Sequence, residues 1–341
     1  MRKLTLFITI ALALLAGVAA FDWWIDPYGE VWKPAALHEA EKRGCFVSQE
    51  LIGNQYFAFK TAVFHDRPTR TFVVGSSRVL KIGAHPGEKS FSNLGYPGSS
   101  LNTILNVFRA LPAKPVQTVY LGVESFWLNA SYVPPDTNPS SYHVAEYALS
   151  RTTFVRAVEI ARQAPYIFYH RWQQDQLGQH CVIGRIFPSI AWRLDGSRVW
   201  AWEIDSRFAR IGATPFTHDL GAWRSGYYAH WTGLDRRRLA VLGQALALAR
   251  SRGWRVIGFA PPEPAPMLRV LERDPRIAPE WNAFIALMPK VFARYGFRWA
   301  HVEDARTLPC KPSEFVDAFH ADGACSARVR ARLDEVARRL H

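Results

Sequence analysis

Apolar and polar positions divide the chain into an uncharged leader, a stretch with no period, and short apolar runs alternating with helical patterns. Leu4 to Phe21 is free of charge and follows Arg2 and Lys3. An apolar run of this length predicts a membrane-spanning helix or the core of a signal segment. Residues 25–70 show no strong period and are expected to pack on the main domain as a juxtamembrane segment. Thr71-Phe72-Val73-Val74 then reads as a strand that stops at the turn Gly75-Ser76-Ser77-Arg78. Leu101, Ile104, Leu105 and Phe108 recur at helical spacing, which predicts a helix near 100–111. Gln117 to Leu121 reads as a second strand, ended by Gly122. The spacing of Leu239, Leu242, Leu246 and Ala249 predicts a helix over 235–252, with Gly253 as its stop. Trp254 to Ala260 is the third strand, cut by Pro261-Pro262. A helix near 280–294 leads to a fourth strand, Phe297 to Val302, and a basic helix runs from about Ser326 to Leu340.

Strands alternating with helices predict an α/β fold whose mostly parallel sheet is covered on both faces. Residues 130–233 interrupt the rhythm. They are rich in Tyr, Trp and Arg, hold one helical stretch near 152–163, and read as an insertion. The expected organisation is therefore an N-terminal segment (1–24), the juxtamembrane segment (25–70) and a main domain (71–341) carrying that insertion.

Composition adds direction to this outline. The 341 residues, 49% hydrophobic, can bury a full core, which excludes disordered and collagen-like classes. The formal charge is +13, with Arg far ahead of Lys, so anionic surfaces are favoured. The densest basic cluster, Arg236-Arg237-Arg238, opens an amphipathic helix and reads as a solvated face, not a nucleic-acid contact. The positive flank of the leader directs the rest of the chain out of the cytoplasm. Trp23 and Trp24 suit the aromatic belt of an uncleaved anchor, while Val18-Ala19-Ala20 leaves a cleaved signal as the alternative. In an oxidising compartment the four cysteines are expected in disulfides. Cys310 and Cys325 bracket one loop and are paired, leaving Cys45 with Cys181; four buried free thiols are the other reading. Their spacing suits no zinc site, and no metal or cofactor is expected.

Ligands of open α/β sheets sit beyond the carboxyl ends of the strands. Ser77 stands at such an end, with Ser76 as its neighbour. Asp317-Ala318-Phe319-His320 follows the last predicted strand, where a helical turn would set carboxylate and imidazole on one side. Asp317 could orient His320, and His320 could activate Ser77. Other motifs have plainer readings. Gly83 to Ser90 has a P-loop outline, but Glu88 stands where the glycine before the lysine is required. His170, His218 with Asp219, and His230 read as structural among aromatics. Glu263 reads as a loop cap that could line the cleft, and Arg78 as an internal salt bridge or a contact to an acidic substrate.

Gly75-Ser76-Ser77 with Asp317-x-x-His320 resembles the first and last conserved blocks of the SGNH (GDSL-type) hydrolases. Asn93-Leu94-Gly95 is similar to the second block and Gly122 to the start of the third, over about residues 71–125 and 254–335. The leader, Asp26-Pro27-Tyr28-Gly29, Gly-Ser-Ser-Arg and Pro261-Pro262 resemble the membrane-anchored branch that accompanies membrane-bound O-acyltransferases, as in alginate O-acetylation and teichoic-acid D-alanylation. That resemblance implies a three-layer α/β/α fold and a periplasmic enzyme held at the inner membrane. It implies a Ser77–His320–Asp317 triad, an oxyanion hole from the amides of Ser77 and Gly95, and Arg78, Asn93, Gly122 and Glu124 beside the substrate. A membrane O-acyltransferase would donate the acyl group and a polysaccharide would receive it. An acetylesterase and a catalytically silent glycan-binding scaffold are the rival readings. Two departures stand out: Ser76 replaces the usual Asp, and Val123-Glu124-Ser125 offers no Asn to the oxyanion.

Overall fold

The computed structural model describes residues 2–25, 40, 42–49, 56–65, 67–113, 115–133, 151–162, 182–183, 190–204 and 226–339. In chain order the elements are α1 (Arg2–Ile25), β1 (Phe46–Ser48), α2 (Tyr56–His65), β2 (Thr71–Val74), β3 (Phe91–Asn93), α3 (Leu101–Ala110), β4 (Thr118–Gly122) and α4 (Arg151–Arg162). They continue with β5 (Val182–Ile183), β6 (Ile190–Trp192), β7 (Arg198–Trp200), α5 (Ala201–Ile204), α6 (Arg236–Ser251), β8 (Arg255–Phe259), α7 (Ala265–Arg273), α8 (Ala278–Arg294), β9 (Arg298–Ala300) and α9 (Gly323–Arg338). The chain forms two compact units. The larger holds residues 60–138, 195–198 and 209–341; the smaller holds 1–59, 139–194 and 199–208.

In the larger unit five strands pair in the order β3-β2-β4-β8-β9, every pairing parallel. Such strands are covered on both faces, which explains why Thr118–Gly122 is buried at every position. On one face Val73, Tyr120, Ile257 and Phe259 pack with Val329 and Leu333 of α9. On the other, the Phe72 ring meets Phe108 of α3 and Trp254 edge-on at 6.1 and 5.6 Å. Gly258 leaves space there for Phe292 of α8: a Cβ would stand 2.3 Å from its ring. Local signals set the helix ends. Ser100 and Thr103 form a capping box on α3, Asp235 accepts from the N–H of Arg237 at 2.8 Å, and Asp322 caps α9 through Ala324 at 3.0 Å.

The expectations have the right type for β2, α3, β4, α4, α6, β8, α8, β9 and α9, but they pass over α2, β3 and α7. β3 is three residues long, too short to show a period. α7 hides behind Pro261-Pro262 and Pro264, yet proline in a first helical turn is well tolerated, and Pro266 occupies one there.

In the smaller unit, β1 pairs with β5 and β6, and a second sheet runs β5-β1-β6-β7. No such sheet is expected from the sequence, because its strands are two or three residues long. α1 is apolar and long enough to cross a membrane over Arg2–Asp22, which fits an anchor or a signal segment. Near its end Phe21 meets Phe154 of α4, with ring centroids 6.1 Å apart. Asp26 to Gly29, His170, His218, Asp219 and Cys181 lie outside the described residues, so the expected Cys45–Cys181 link does too. Cys310 and Cys325 form a disulfide, 15 residues apart in sequence.

Candidate active site

The strand order places a topological switch point between β2 and β4: the chain leaves β2 for β3 on one side, then returns to add β4 on the other. Loops diverge at such a point and open a crevice beyond the strand ends. Residues 75–79 and 122–128 are the two loops there.

Gly75 is required by close approach, since a Cβ would lie 2.9 Å from Val79 Cγ1 and 3.1 Å from the Gly122 carbonyl. A 3-10 turn over Ser77–Val79 follows at once, and Ser76 Oγ caps it by accepting from the Arg78 N–H at 3.1 Å. Ser77 is the one residue between Phe72 and Ile82 that is not buried. Its Oγ lies 2.8 Å from His320 Nε2, and His320 Nδ1 lies 2.6 Å from Asp317 Oδ2. Asp317 can only accept, so Nδ1 carries the proton and Nε2 is left to accept from the Ser77 hydroxyl.

Asp317 and His320 come together by a route other than the expected helical turn. Residues 316–319 are successive bends, and the loop is closed by a bridge between Phe315 and Ala321. Asp317 Oδ1 accepts the N–H groups of Phe319 and His320 at 2.9 and 2.7 Å. A short acidic side chain bonding its own downstream backbone replaces the helix here. Burial alone would raise the Asp317 pKa, but the His320 ring and these two N–H groups hold it below the ordinary carboxylate value. Burial lowers the His320 pKa and outweighs the attraction of Asp317; Arg198 and Arg78 add to the lowering. The imidazole is therefore neutral at pH 7 and able to take a proton.

The Ser77 N–H has no hydrogen-bond partner among the described residues. The Gly95 N–H, the other expected oxyanion donor, differs: it donates to Asn93 Oδ1 at 2.8 Å. Asn93, Gly122, Arg78 and Glu124, expected beside the substrate, are all buried. Asn93 is fully buried and donates through Nδ2 to the carbonyls of Val79 and Ile82 at 2.7 and 2.8 Å, which fixes the chain just past the Ser77 turn. Gly122 packs under Val79, where a Cβ would stand 2.6 Å from Cγ1. Glu124 is 1% exposed, accepts from Ser76 Oγ, and pairs with Arg78 Nη1 at 2.9 Å. Glu263 also binds that nitrogen, at 2.7 Å. Burial pushes the Glu263 pKa up to about 7 against the pull of Arg78. The sequence offered substrate contact and internal salt bridge as readings of Arg78, and the second is the one observed.

A further group was not anticipated. Lys60, Asp195 and Gly196 brace Asn93 from behind. Lys60 Nζ donates to Asn93 Oδ1 at 3.2 Å and to the Gly196 carbonyl, and Asn93 N donates to the Asp195 carbonyl at 2.6 Å. Burial lowers the Lys60 pKa well below its ordinary value, against the pull of Asp195. The Asp195-Gly196-Ser197 turn was the available signal, but nothing in the sequence ties it to residue 93. Tyr227 and Tyr132 are half-buried with ring centroids 5.4 Å apart. Burial raises the Tyr227 pKa, and the charges of Glu124 and Asp317 raise it further.

No protein-family model matches the chain, and no curated protein matches it at a significant level.

Proposed function

We propose that the chain is an exported serine acyl-transfer enzyme, an O-acetyltransferase acting on a bacterial surface or secreted polysaccharide. The observation that carries this reading is the continuous hydrogen-bonded path from Ser77 Oγ through His320 to Asp317 at the switch point. In this mechanism His320 Nε2 takes the Ser77 proton as Oγ attacks the acyl carbonyl. The Ser77 N–H stabilises the resulting oxyanion. Protonated His320 then gives its proton to the departing group, leaving acyl-Ser77. A sugar hydroxyl, deprotonated in turn by His320, attacks that ester; the bond to Ser77 Oγ breaks, His320 returns the proton to Oγ, and the sugar carries the acyl group away. The rings of Tyr132 and Tyr227 offer the acceptor sugar a surface to stack on. A membrane-bound O-acyltransferase would supply the acyl group, and α1 would hold the enzyme at the periplasmic face of the inner membrane.

The silent-scaffold reading also has a specific observation behind it: the Gly95 amide is occupied and Glu124 is bound to Ser76 and Arg78, which leaves the Ser77 N–H as the expected donor still open among the described residues. Losing a donor of this kind costs about a hundredfold or more in rate. Full-length protein in detergent, treated with a fluorophosphonate probe and then with p-nitrophenyl acetate, separates the readings. Covalent labelling and ester turnover, both abolished in Ser77→Ala, are expected; a folded wild-type protein that takes no label and turns over no ester is the scaffold. Acetyl transfer to an oligosaccharide acceptor, rather than to water, separates transferase from esterase.

A further inference from the structure

A guanidinium offers five N–H donors in one rigid plane. Arg78 directs its three nitrogens to three separate loops. Nε donates to the Phe319 carbonyl at 3.1 Å; Nη1 donates to Glu124 Oε2 at 2.9 Å and Glu263 Oε1 at 2.7 Å; Nη2 donates to the carbonyls of Pro261 and Pro262 at 3.2 and 2.7 Å. A buried cation needs one carboxylate to balance it. Arg78 has Glu124 for that, and it also binds Glu263 and three carbonyls. Its place in the chain gives this excess a meaning. Arg78 is the residue after Ser77, and Phe319 is the residue before His320. One buried side chain thus links the backbone of the nucleophile turn to the backbone of the base loop, and braces both on the loops that follow β4 and β8.

We infer that Arg78 is a positioning residue: it sets the distance and alignment between Ser77 and His320 through Phe319, Glu124 and the Pro261–Glu263 loop. The inference rests on the acyl-transfer reading and deepens it. Arg78 touches no reacting atom, because its side chain is 4% exposed and its donors are spent inside the protein. Lysine cannot replace it, since a point charge on a flexible stem cannot hold three loops in one plane. The guanidinium also acts on the base directly, because its charge is among those that lower the His320 pKa.

The test compares wild type, Arg78→Lys and Arg78→Met as full-length protein in detergent, by three measurements: the rate of fluorophosphonate labelling at Ser77, the thermal melt, and the histidine proton NMR spectrum. The downfield Nδ1 proton of a histidine held on a carboxylate is assigned by its loss in His320→Gln. Both Arg78 variants should label about tenfold to a hundredfold more slowly, the range expected when reacting groups drift by an ångström or less. In Arg78→Met the downfield proton should vanish and the His320 titration midpoint should rise, which a purely structural role would not produce in a protein that still melts cooperatively. Folded variants that label at the wild-type rate and keep the downfield proton would overturn the inference. Should neither variant fold, Glu124→Gln takes their place: it keeps an acceptor but removes the charge that holds Arg78, so labelling must slow at least about threefold, and an unchanged rate overturns the inference. If wild type itself takes no label, the acyl-transfer reading fails, and the NMR comparison still decides whether Arg78 holds His320.

Discussion

Removing the Cys310–Cys325 disulfide separates the stability of the larger unit from the precision of its base loop. The bond closes a loop with a sequence separation of 15 residues, and Asp317 and His320 both lie inside it. Loop-closure entropy for a ring of this size is worth about 3 kcal/mol. For a unit of roughly this length each kcal/mol moves the melting temperature by about 2–4 °C, so Cys310→Ser with Cys325→Ala should lower it by about 6–12 °C. The loop has other supports: Arg328 grips Glu314 through two bonds of 2.6 and 3.0 Å, and Phe315 bridges Ala321. Below the melt the loop should therefore stay in place but loosen. Fluorophosphonate labelling of Ser77 should slow by about threefold to tenfold, as expected of a small displacement between reacting groups. Calorimetry and labelling on the same samples check both halves. A melt within about 2 °C of wild type would refute the entropic account. Labelling that falls only where the melt begins would refute the claim that the bond positions the base.

Two more perturbations probe the groups that support the Ser77 turn. Glu263 has a folded pKa of about 7, above its unfolded value, so the native state holds its proton more tightly. The stability this contributes is complete below the unfolded pKa and is lost as pH rises through about 7. Glu263→Gln should thus match wild type in urea melts at pH 5 and exceed it at pH 8.5; a variant less stable at the higher pH would contradict the neutral-acid assignment. Gly196 has φ +82°, and a Cβ on it would stand 2.6 Å from the Asn93 carbonyl, whereas Gly87 has φ +80° and open space around it. Gly87→Ala should cost about 1 kcal/mol of backbone strain and Gly196→Ala about 1–3 kcal/mol more from the clash. Equal losses in denaturant titrations would show that the 195–198 turn does not brace Asn93.

The sequence makes the strands that carry the site legible because each is a compact apolar run cut by glycine or proline: Val74 by Gly75, Leu121 by Gly122, Phe259 by Pro261. Their order then puts Ser77 at a switch point before any side chain is placed. What the sequence hides is polar and long-range. Gly95 reads as a free oxyanion donor until its N–H is seen on Asn93, two residues away. Arg78 reads equally as an internal salt bridge or a contact to an acidic substrate until two carboxyl groups, 46 and 185 residues distant, are seen around it. The expected helical turn at Asp317 fails for a local reason: its carboxylate competes for the N–H groups that a helix would have turned elsewhere.

Ser77 and His320 meet across 243 residues of chain. A ribosome adding about 5–20 residues per second needs on the order of ten to fifty seconds to cover that span. Through that interval the growing chain carries a serine with no base within reach. β2, β3 and β4 can already pair, but β8, β9 and the 310–325 loop are still to come. On the acyl-transfer reading the half-made chain lacks its base, and the contact between Ser77 and His320 forms only at the end of synthesis.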